Sequence, residues 1–377
     1  MISRRHLLRG TAAAAAATLG VPSLRAAESK IVLGQSAAFT GNAAQLGIQM
    51  NQGAKLWFEQ FNAAGGVGGV QVELRTLDDG YEPDRCKANT AQFIKDDVFA
   101  LFGYVGTPTC LAALPQVVET RMPFFGPFTG AEALRDPMHR NVFHVRASYY
   151  DETALIVKNL TSLGLNRIAV FHQNDAYGAA GLAGVTRALK ALNLEPVGTA
   201  TVERNTVNVA PAVKALVPLQ PQAIVQISAY RSCAAFIREA RKAGFGGQFY
   251  NVSFVGTQAL ADELKTDGRG VVVSQVMPFP YSPATPVVRE YLEAVKKAGG
   301  DYSANYSSLE GYLAARVFSE GLKRAGRGAS RDGLVAGLES LNSLNLGGFN
   351  VAFGPRDRVA SRFVDLSMLT GDGRVTR

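Results

Sequence analysis

Residues 31–79 constrain the fold of this chain most strongly. They place an apolar strand, a polar loop, an amphipathic helix, a glycine turn and a second strand in that order. The order predicts a β-loop-α-turn-β unit of an α/β fold. The polar loop, Ser36 to Asn42, stands where the carboxyl end of the first strand meets the amino end of the helix. Open α/β folds bind small ligands at such places, so the loop is a candidate site.

Strand-like and helix-like segments alternate through the rest of the chain. The alternation predicts two parallel sheets, each covered by helices on both faces. Strands of the first sheet are predicted near 31–35, 70–77, 99–104 and 123–127. Strands of the second are predicted near 167–172, 196–202, 223–228, 248–252 and 271–276, with a final hairpin-like stretch at 349–369. A chain of this length exceeds what one core usually supports, which favours two Rossmann-like lobes.

Composition and motifs exclude several classes of function. The chain has 39 Lys and Arg against 31 Asp and Glu, but no run of five or six basic residues, so nucleic acid is not a predicted partner. The sequence has no GxxxxGK[ST], HExxH or GxSxG motif and no GxGxxG after a strand. No Cys/His cluster suggests a metal site. We therefore predict neither an enzyme nor a cofactor.

The first 27 residues have the parts of an export signal. Arg4 and Arg5 open the segment, an apolar stretch follows at 11–21, and small residues stand at Ala26 and Ala27. The start, SRRHLLR, resembles a twin-arginine signal, and the apolar stretch is shorter than the about 20 residues that span a bilayer. We predict export to the periplasm. An ordinary secretory signal and an uncleaved anchor remain as alternatives.

The stretch from Phe39-Thr40-Gly41 through Gly53-Ala54 to the glycine turn at 65–69 carries a family resemblance. It resembles the opening of the leucine/isoleucine/valine-binding proteins, the type I periplasmic solute-binding proteins of ABC importers, and motifs in the same order continue along the mature chain. The resemblance implies two lobes joined by a three-segment hinge near 142–148, 274–282 and 346–356. The expected boundaries are 28–145 plus 278–348 for lobe 1 and 146–277 plus 349–377 for lobe 2.

The resemblance also implies a function. A solute-binding protein of this kind would hold a small carboxylate or amide ligand between its lobes and deliver it to an ABC permease and ATPase complex at the inner membrane. The expected ligand is a branched-chain or other hydrophobic amino acid, or a related acid or amide. Two alternatives remain open: a periplasmic receptor of the same fold that signals to a partner, and an exported α/β hydrolase. The empty motif search argues against the hydrolase.

Two loops supply candidate ligand contacts. Each follows a strand and opens a helix, where backbone amides suit an anion. The resemblance assigns the carboxylate of the ligand to the Thr107 hydroxyl and to the backbone amides of Thr129 and Gly130, and its amino group to the Phe128 carbonyl. The alternative is that both threonines are ordinary helix caps.

Aromatic side chains form a second set of candidates. Tyr177 and Tyr230 match family tyrosines that close over the ligand, and Tyr104 precedes the first binding loop. Near the hinge, Tyr150 and its neighbour Tyr149 are expected to line an aromatic cleft. Phe279 and Tyr281 belong to the same expected cleft. These rings could equally be core or surface residues, because aromatic residues dominate interiors as well as interfaces.

Ser253 departs from the family pattern. Amino-acid-binding members have an acid at this position to pair with the ammonium of the ligand, and a buried ammonium without a partner is costly. Either another acid substitutes, such as Glu310, or the ligand has no α-amino group.

Two further features stay open. Cys86 and Cys110 open neighbouring helices, and the family often carries a disulfide nearby, so they form either a pair or two free thiols. Cys233 is expected to be a buried free thiol. Asp78 and Asp79 point to opposite faces of a strand, so they are expected to be solvated or capping carboxylates rather than a catalytic pair.

Overall fold

The computed structural model describes residues 30–377. The predicted export signal, residues 1–27, lies outside the described residues. Within the described part, no helix combines the length and the apolar character needed to cross a membrane.

The first sheet has five parallel strands, and helices cover both of its faces. Its strands are β1 (Lys30–Ala37), β2 (Gln71–Asp78), β3 (Ala100–Phe102), β4 (Phe124–Phe125) and β5 (Val142–Phe143), in the order β2-β1-β3-β4-β5. The helices between them are α1 (Ala44–Ala63), α2 (Pro83–Lys95) and α3 (Thr107–Thr120). Helices α2 and α3 pack together on one face, and α1 lies on the other.

The second sheet repeats this arrangement. Its helices are α4 (Tyr149–Ser162), α5 (Ala176–Lys190), α6 (Ala210–Leu216), α7 (Tyr230–Lys242) and α8 (Thr257–Leu264). Its parallel strands are β6 (Ile168–Gln173), β7 (Gly198–Val202), β8 (Ala223–Ile227), β9 (Gln248–Asn251) and β10 (Val272–Gln275). All five residues of β8, AIVQI, are buried. Such continuous burial is expected of a central parallel strand, because helices cover both of its faces.

The last part of the chain serves both sheets. It forms helices α9 (Pro286–Ala298), α10 (Tyr306–Ala325) and α11 (Arg331–Glu339), and strands β11 (Leu344–Asn345), β12 (Asn350–Val351), β13 (Asp365–Leu369) and β14 (Val375–Thr376). Helices α9 and α10 pack on α1. Strands β13 and β14 join the second sheet as an antiparallel edge, in the order β14-β13-β10-β9-β8-β6-β7. The predicted hairpin over 349–369 is wrong in detail, because β12 pairs with β11 and the hairpin is β13-β14.

The structure confirms the predicted α/β fold with two lobes. We call the first sheet with α1–α3 and α9–α11 the first lobe, and the second sheet with α4–α8 the second lobe. The chain passes between them after β5 and after β10, and a third time before β13. Two of these segments lie side by side: His144 N–H donates to the Arg358 carbonyl, and Ala360 N–H donates to the His144 carbonyl, both at 2.8 Å. The residue boundaries of the lobes stay a prediction.

All three cysteines are free and buried. Cys86 and Cys110 lie in the same apolar cluster between α2, α3 and the first sheet, without a disulfide. Burial raises the pKa of each thiol, so these side chains are inert core groups in this structure.

Helices α1 and α10 approach each other closely through glycines. A Cβ atom on Gly53 would lie 1.7 Å from the Ser308 carbonyl oxygen, and one on Gly311 would lie 2.1 Å from the Met50 carbonyl oxygen. The close approach fixes the position of α10. It thereby places Glu310, the residue before Gly311, at the interface between the lobes.

We predict that Gly53→Ala destabilises the protein by about 1–3 kcal/mol, because overpacking of the helix contact outweighs the higher helix propensity of alanine. Urea unfolding measures the change. Gly246→Ala is the matched control, since a Cβ atom there would meet no atom of the described residues within 4 Å. Equal unfolding free energies for the two variants would contradict the close contact.

Candidate functional site

Loops at the carboxyl ends of the strands of both sheets meet between the lobes. Phe254, which follows β9 in the second lobe, contacts Tyr81 and Phe128 of the first lobe, with ring centroids 5.8 and 5.7 Å apart. Parallel strands end at the same edge of a sheet, so binding loops gather there. The candidate site is the region where the loops at these edges of the two sheets meet.

Five aromatic side chains fill the centre of this interface. Phe254 also contacts Tyr177 with a centroid distance of 4.6 Å, and Tyr177 contacts Tyr149 at 5.4 Å. We call the five residues the interlobe aromatic cluster: Tyr81, Phe128, Tyr149, Tyr177 and Phe254. Each is at most 1% exposed. The Tyr177 hydroxyl has no hydrogen-bond partner among residues 30–377.

A pair of threonines lies beside the aromatic cluster. Thr107 is the first residue of α3, and its hydroxyl lies 2.7 Å from the Thr129 hydroxyl. The Thr129 hydroxyl in turn donates to the Tyr149 hydroxyl at 3.4 Å. Hydroxyls at a helix amino terminus can hold an anion, as the sequence led us to expect.

The backbone of the second loop is only partly available to a ligand. Thr129 N–H donates to the Pro127 carbonyl at 2.8 Å, and the Phe128 carbonyl accepts the Gly106 N–H at 3.2 Å. The Gly130 N–H has no acceptor among the described residues. Gly130 is therefore the better candidate for an amide donor.

Arg146 is the main residue that the sequence reasoning missed. It lies between β5 and α4, is 1% exposed, and holds its guanidinium carbon 4.5 Å from the centre of the Phe128 ring. Its Nε lies 3.2 Å from Glu310 Oε1, and its Nη2 donates to Ser253 Oγ. Arg146 thus joins the hinge to α10 of the first lobe and to the loop after β9 of the second.

Ser253 is held by a second buried acid, Glu152 of α4. Ser253 N–H donates to Glu152 Oε2 at 2.7 Å, and Ser253 Oγ donates to Glu152 Oε1 at 3.0 Å. Ser274 Oγ also donates to Glu152 Oε2, at 2.6 Å. Burial raises the pKa of Glu152, while Arg146 and these donors oppose the shift. Burial raises the pKa of Glu310 to about 7, again against the pull of Arg146.

The structure brings most of the predicted site residues to the interface. Ser253 and Tyr230 are buried there. Tyr230 is the first residue of α7. Its neighbour Arg231 donates to Asn42 of the first lobe at 3.0 Å. The predicted residues gathered around the aromatic cluster are Thr107, Phe128, Thr129, Gly130, Tyr177 and Ser253.

Tyr104 does not reach this interface. Its side chain lies in the apolar cluster with Cys86 and Cys110, and its hydroxyl is 3.2 Å from the Thr90 hydroxyl. Gly103 has a left-handed backbone with φ 62°, which breaks the alternation of side chains along the end of β3. Tyr104 therefore packs in the same cluster as Leu101.

Tyr150 also lies elsewhere, with its ring 4.8 Å from the Arg187 guanidinium. Successive residues of a helix point about 100° apart, so only one residue of the pair at the start of α4 can face the cluster, and that residue is Tyr149. Phe279 and Tyr281 form a separate group with Tyr306.

The sequence does hold a signal for Arg146, because it is a charged residue directly after an apolar strand-like run. It holds none for Glu152.

Asp78 and Asp79 have different surroundings. Burial would raise the pKa of Asp78, but hydrogen bonds from the Thr40 hydroxyl and from the Phe39 and Gly80 backbone amides lower it to about 2. Asp79 is fully buried, and burial raises its pKa to about 6, although Ser36 Oγ and Tyr81 N–H both donate to it. Asp79 is thus a turn-stabilising carboxylate rather than a solvated one.

Polar contacts close the interface at its edge. Arg204 of the second lobe donates to Glu82 Oε2 of the first at 2.9 Å and lies 3.4 Å from Asp175 Oδ2. The Asn205 side chain donates to the Gly80 carbonyl at 3.1 Å and to Glu82 Oε1 at 2.6 Å. We call Glu82, Asp175, Arg204 and Asn205 the polar latch. In residues 30–377, no group of three or more His, Cys, Asp or Glu side chains is placed to hold a metal ion.

Comparison with known proteins gives a consistent result. A sequence profile of the family described as periplasmic binding protein matches residues 30–373. A solved structure described as a possible leucine/isoleucine/valine-binding protein from Rhodopirellula baltica SH 1 is 35% identical with a TM-score of 0.88, covering 92% of this chain and 95% of that one. A substrate-binding periplasmic protein from Ralstonia solanacearum is 32% identical with a TM-score of 0.87, covering 92% and 99%.

A curated relative extends the comparison. Leu/Ile/Val-binding protein homolog 8 of Brucella suis biovar 1 (strain 1330) is 23% identical, and the alignment covers 95% of this chain and 94% of the relative. The likeness therefore spans both lobes.

We predict that Asp79→Asn removes a pH dependence of stability. The raised pKa of Asp79 means that the folded protein binds this proton more tightly than the unfolded chain, so its stabilisation is present below about pH 4 and is lost as the pH rises through about 6. The unfolding free energy of the wild type should fall relative to that of the variant by up to about 3 kcal/mol between about pH 4 and 7. Urea titrations across this range measure it.

Asp78→Asn is the control for this experiment. The pKa of Asp78 is lowered, so its stabilisation is present above about pH 4 and is lost only as the pH falls towards 2. A wild type and an Asp79→Asn variant with parallel pH profiles would contradict the buried, protonatable Asp79.

Proposed function

The chain belongs to the periplasmic binding protein family, and on this premise we propose that it is the solute-binding component of an ABC importer. The observation that carries the proposal is the buried polar and aromatic layer built by both lobes around Thr107, Thr129 and Tyr177. A ligand held in this layer would contact both lobes at once. It would therefore shift the population from open to closed forms by hinge motion.

The proposed ligand is a small carboxylate. The Thr107 and Thr129 hydroxyls, the Gly130 N–H and the amino terminus of α3 form a set of donors that suits an anion. The relatives from Rhodopirellula and Brucella are named for leucine, isoleucine and valine. Branched-chain or other hydrophobic amino acids and the related acids or amides are thus the compounds to test.

The proposed partners are the permease and ATPase of an importer at the inner membrane, with the protein in the periplasm. The family and the predicted export signal at residues 1–27 support this assignment. We propose binding without chemical conversion of the ligand, since the matched family is described as binding proteins.

A ligand screen tests the proposal. We predict that amino acids, their deaminated acids or their amides raise the melting temperature, because a ligand at a hundred times its dissociation constant stabilises the folded state by about 2.7 kcal/mol. Thr107→Val should reduce the effect, since it removes one donor of the pair. Thr120→Val, at the other end of α3, is the control. If no compound of the three classes stabilised the protein, the proposal would be wrong.

The polar latch gives a second prediction. Arg204→Gln should weaken binding of any such ligand roughly threefold, because the closed form loses a half-buried ion pair between the lobes. Calorimetric titration measures the affinity. Arg238→Gln is the matched control, because Arg238 pairs with Asp267 of the same lobe at 2.9 Å. Equal affinities for the two variants would show that the latch does not contribute to closure.

A further inference from the structure

Arg146 is a buried cation, and some of its N–H donors have no acceptor among residues 30–377. Its ion pair with Glu310, at 3.2 Å from Nε, lacks an aligned hydrogen bond, and its Nη1 has no hydrogen-bond partner among residues 30–377. The guanidinium faces the ring of Phe128, one member of the interlobe aromatic cluster. Buried donors without acceptors are costly, so an acceptor on a bound ligand would complete this site.

Tyr177 presents a second unpaired polar atom at the same cluster. Its side chain is 0% exposed, and its hydroxyl has no partner in the described part of the chain. The ring lies against Phe254 and Tyr149, with centroid distances of 4.6 and 5.4 Å. The cluster and the adjoining Arg146 therefore combine flat apolar walls with two polar atoms, Arg146 Nη1 and the Tyr177 hydroxyl, that have no hydrogen-bond partner among residues 30–377.

The acids of the site are already engaged. Glu152 accepts from Ser253 N–H, Ser253 Oγ and Ser274 Oγ, and Glu310 faces Arg146. Glu152 is thus held by three hydrogen bonds, and Glu310 is the counter-ion of Arg146, so a ligand ammonium would have to share it with that arginine. A ligand ammonium in this layer would lose its hydration near the positive charge of Arg146.

We propose that this site selects aromatic carboxylates without an α-amino group. The carboxylate held by the Thr107 and Thr129 donors also accepts from Arg146 Nη1, whose planar guanidinium suits a carboxylate. The ring of the ligand packs in the aromatic cluster with a polar contact to the Tyr177 hydroxyl. This inference rests on the proposed solute-binding function of the interface. It assigns to Ser253 the role of holding Arg146 and Glu152 rather than a ligand amine.

The test compares pairs of compounds that differ only in the α-ammonium. Calorimetric titration of the mature protein would use 3-phenylpropanoate against L-phenylalanine, and 4-methylpentanoate against L-leucine. We expect 3-phenylpropanoate to bind at least tenfold more tightly than L-phenylalanine, and more tightly than 4-methylpentanoate. If an amino acid bound as tightly as its deaminated partner, this inference would be overturned while the proposed function stood.

Other outcomes are equally decisive. Tighter binding of 4-methylpentanoate than of 3-phenylpropanoate would overturn the aromatic preference. Binding by none of the four compounds would overturn the inference and count against the proposed function as well.

Variants test the two unpaired groups. Arg146→Gln should weaken 3-phenylpropanoate binding roughly 100-fold, since it removes the charged contact to the carboxylate. It should weaken L-phenylalanine binding much less, because the same change also removes the repulsion between Arg146 and the ligand ammonium. Arg187→Gln, at an exposed arginine of α5, is the control. Tyr177→Phe removes a single hydroxyl that makes no hydrogen bond among residues 30–377, so it tests the site even if Arg146→Gln fails to fold. It should weaken binding of 4-hydroxyphenylpropanoate about tenfold.

The control for Tyr177→Phe is Tyr302→Phe, in the loop between α9 and α10. Unchanged affinities in both Arg146→Gln and Tyr177→Phe would overturn the assignment of the carboxylate and the polar contact to these residues.

Discussion

The buried charges around Arg146 set the geometry of the interface between the lobes. The guanidinium lies in the hinge segment after β5, one of its acids, Glu310, lies on α10 of the first lobe, and Glu152 lies on α4 of the second. Ser253 links the two sides by accepting from Arg146 and donating to Glu152. Buried charges are tolerated only when paired, so these three elements have to meet at one place.

The aromatic cluster and the polar latch depend on that meeting. Phe254 follows Ser253 directly, so the serine that anchors Arg146 also places the Phe254 ring between Tyr81 and Phe128. Outside the cluster, Arg204 connects the two lobes through Glu82, where water reaches the side chains. Under the proposed function, the interior contacts would set which ligand fits, and the half-buried ion pair would adjust how readily the lobes close.

The sequence predicted the two sheets and most of the loops that meet between the lobes. The loops of Thr107 and Thr129 could be located because a strand followed by a polar loop and a helix has a recognisable local pattern, and the family resemblance then assigned the two threonines. The sequence analysis expected Tyr104 and Tyr150 at the interface, but in the structure their side chains point elsewhere. The left-handed backbone of Gly103 sets the direction of the Tyr104 side chain, and the rotation between successive helical residues sets that of Tyr150. Neither can be read from residue type alone.

The sequence by itself thus determined the two-lobed α/β fold and the loops that meet between the lobes, because hydrophobic periodicity acts over short stretches of chain. Only the tertiary structure decided which charges pair. Arg146 and Ser253 are 107 residues apart, and Glu152 and Ser253 are 101 apart. In the sequence, Ser253 in place of the family's acid can mean either that another acid substitutes or that the ligand has no α-amino group. In the folded protein its meaning is set by partners that long-range packing brings to it, since a buried polar group must find its hydrogen bonds wherever the chain supplies them.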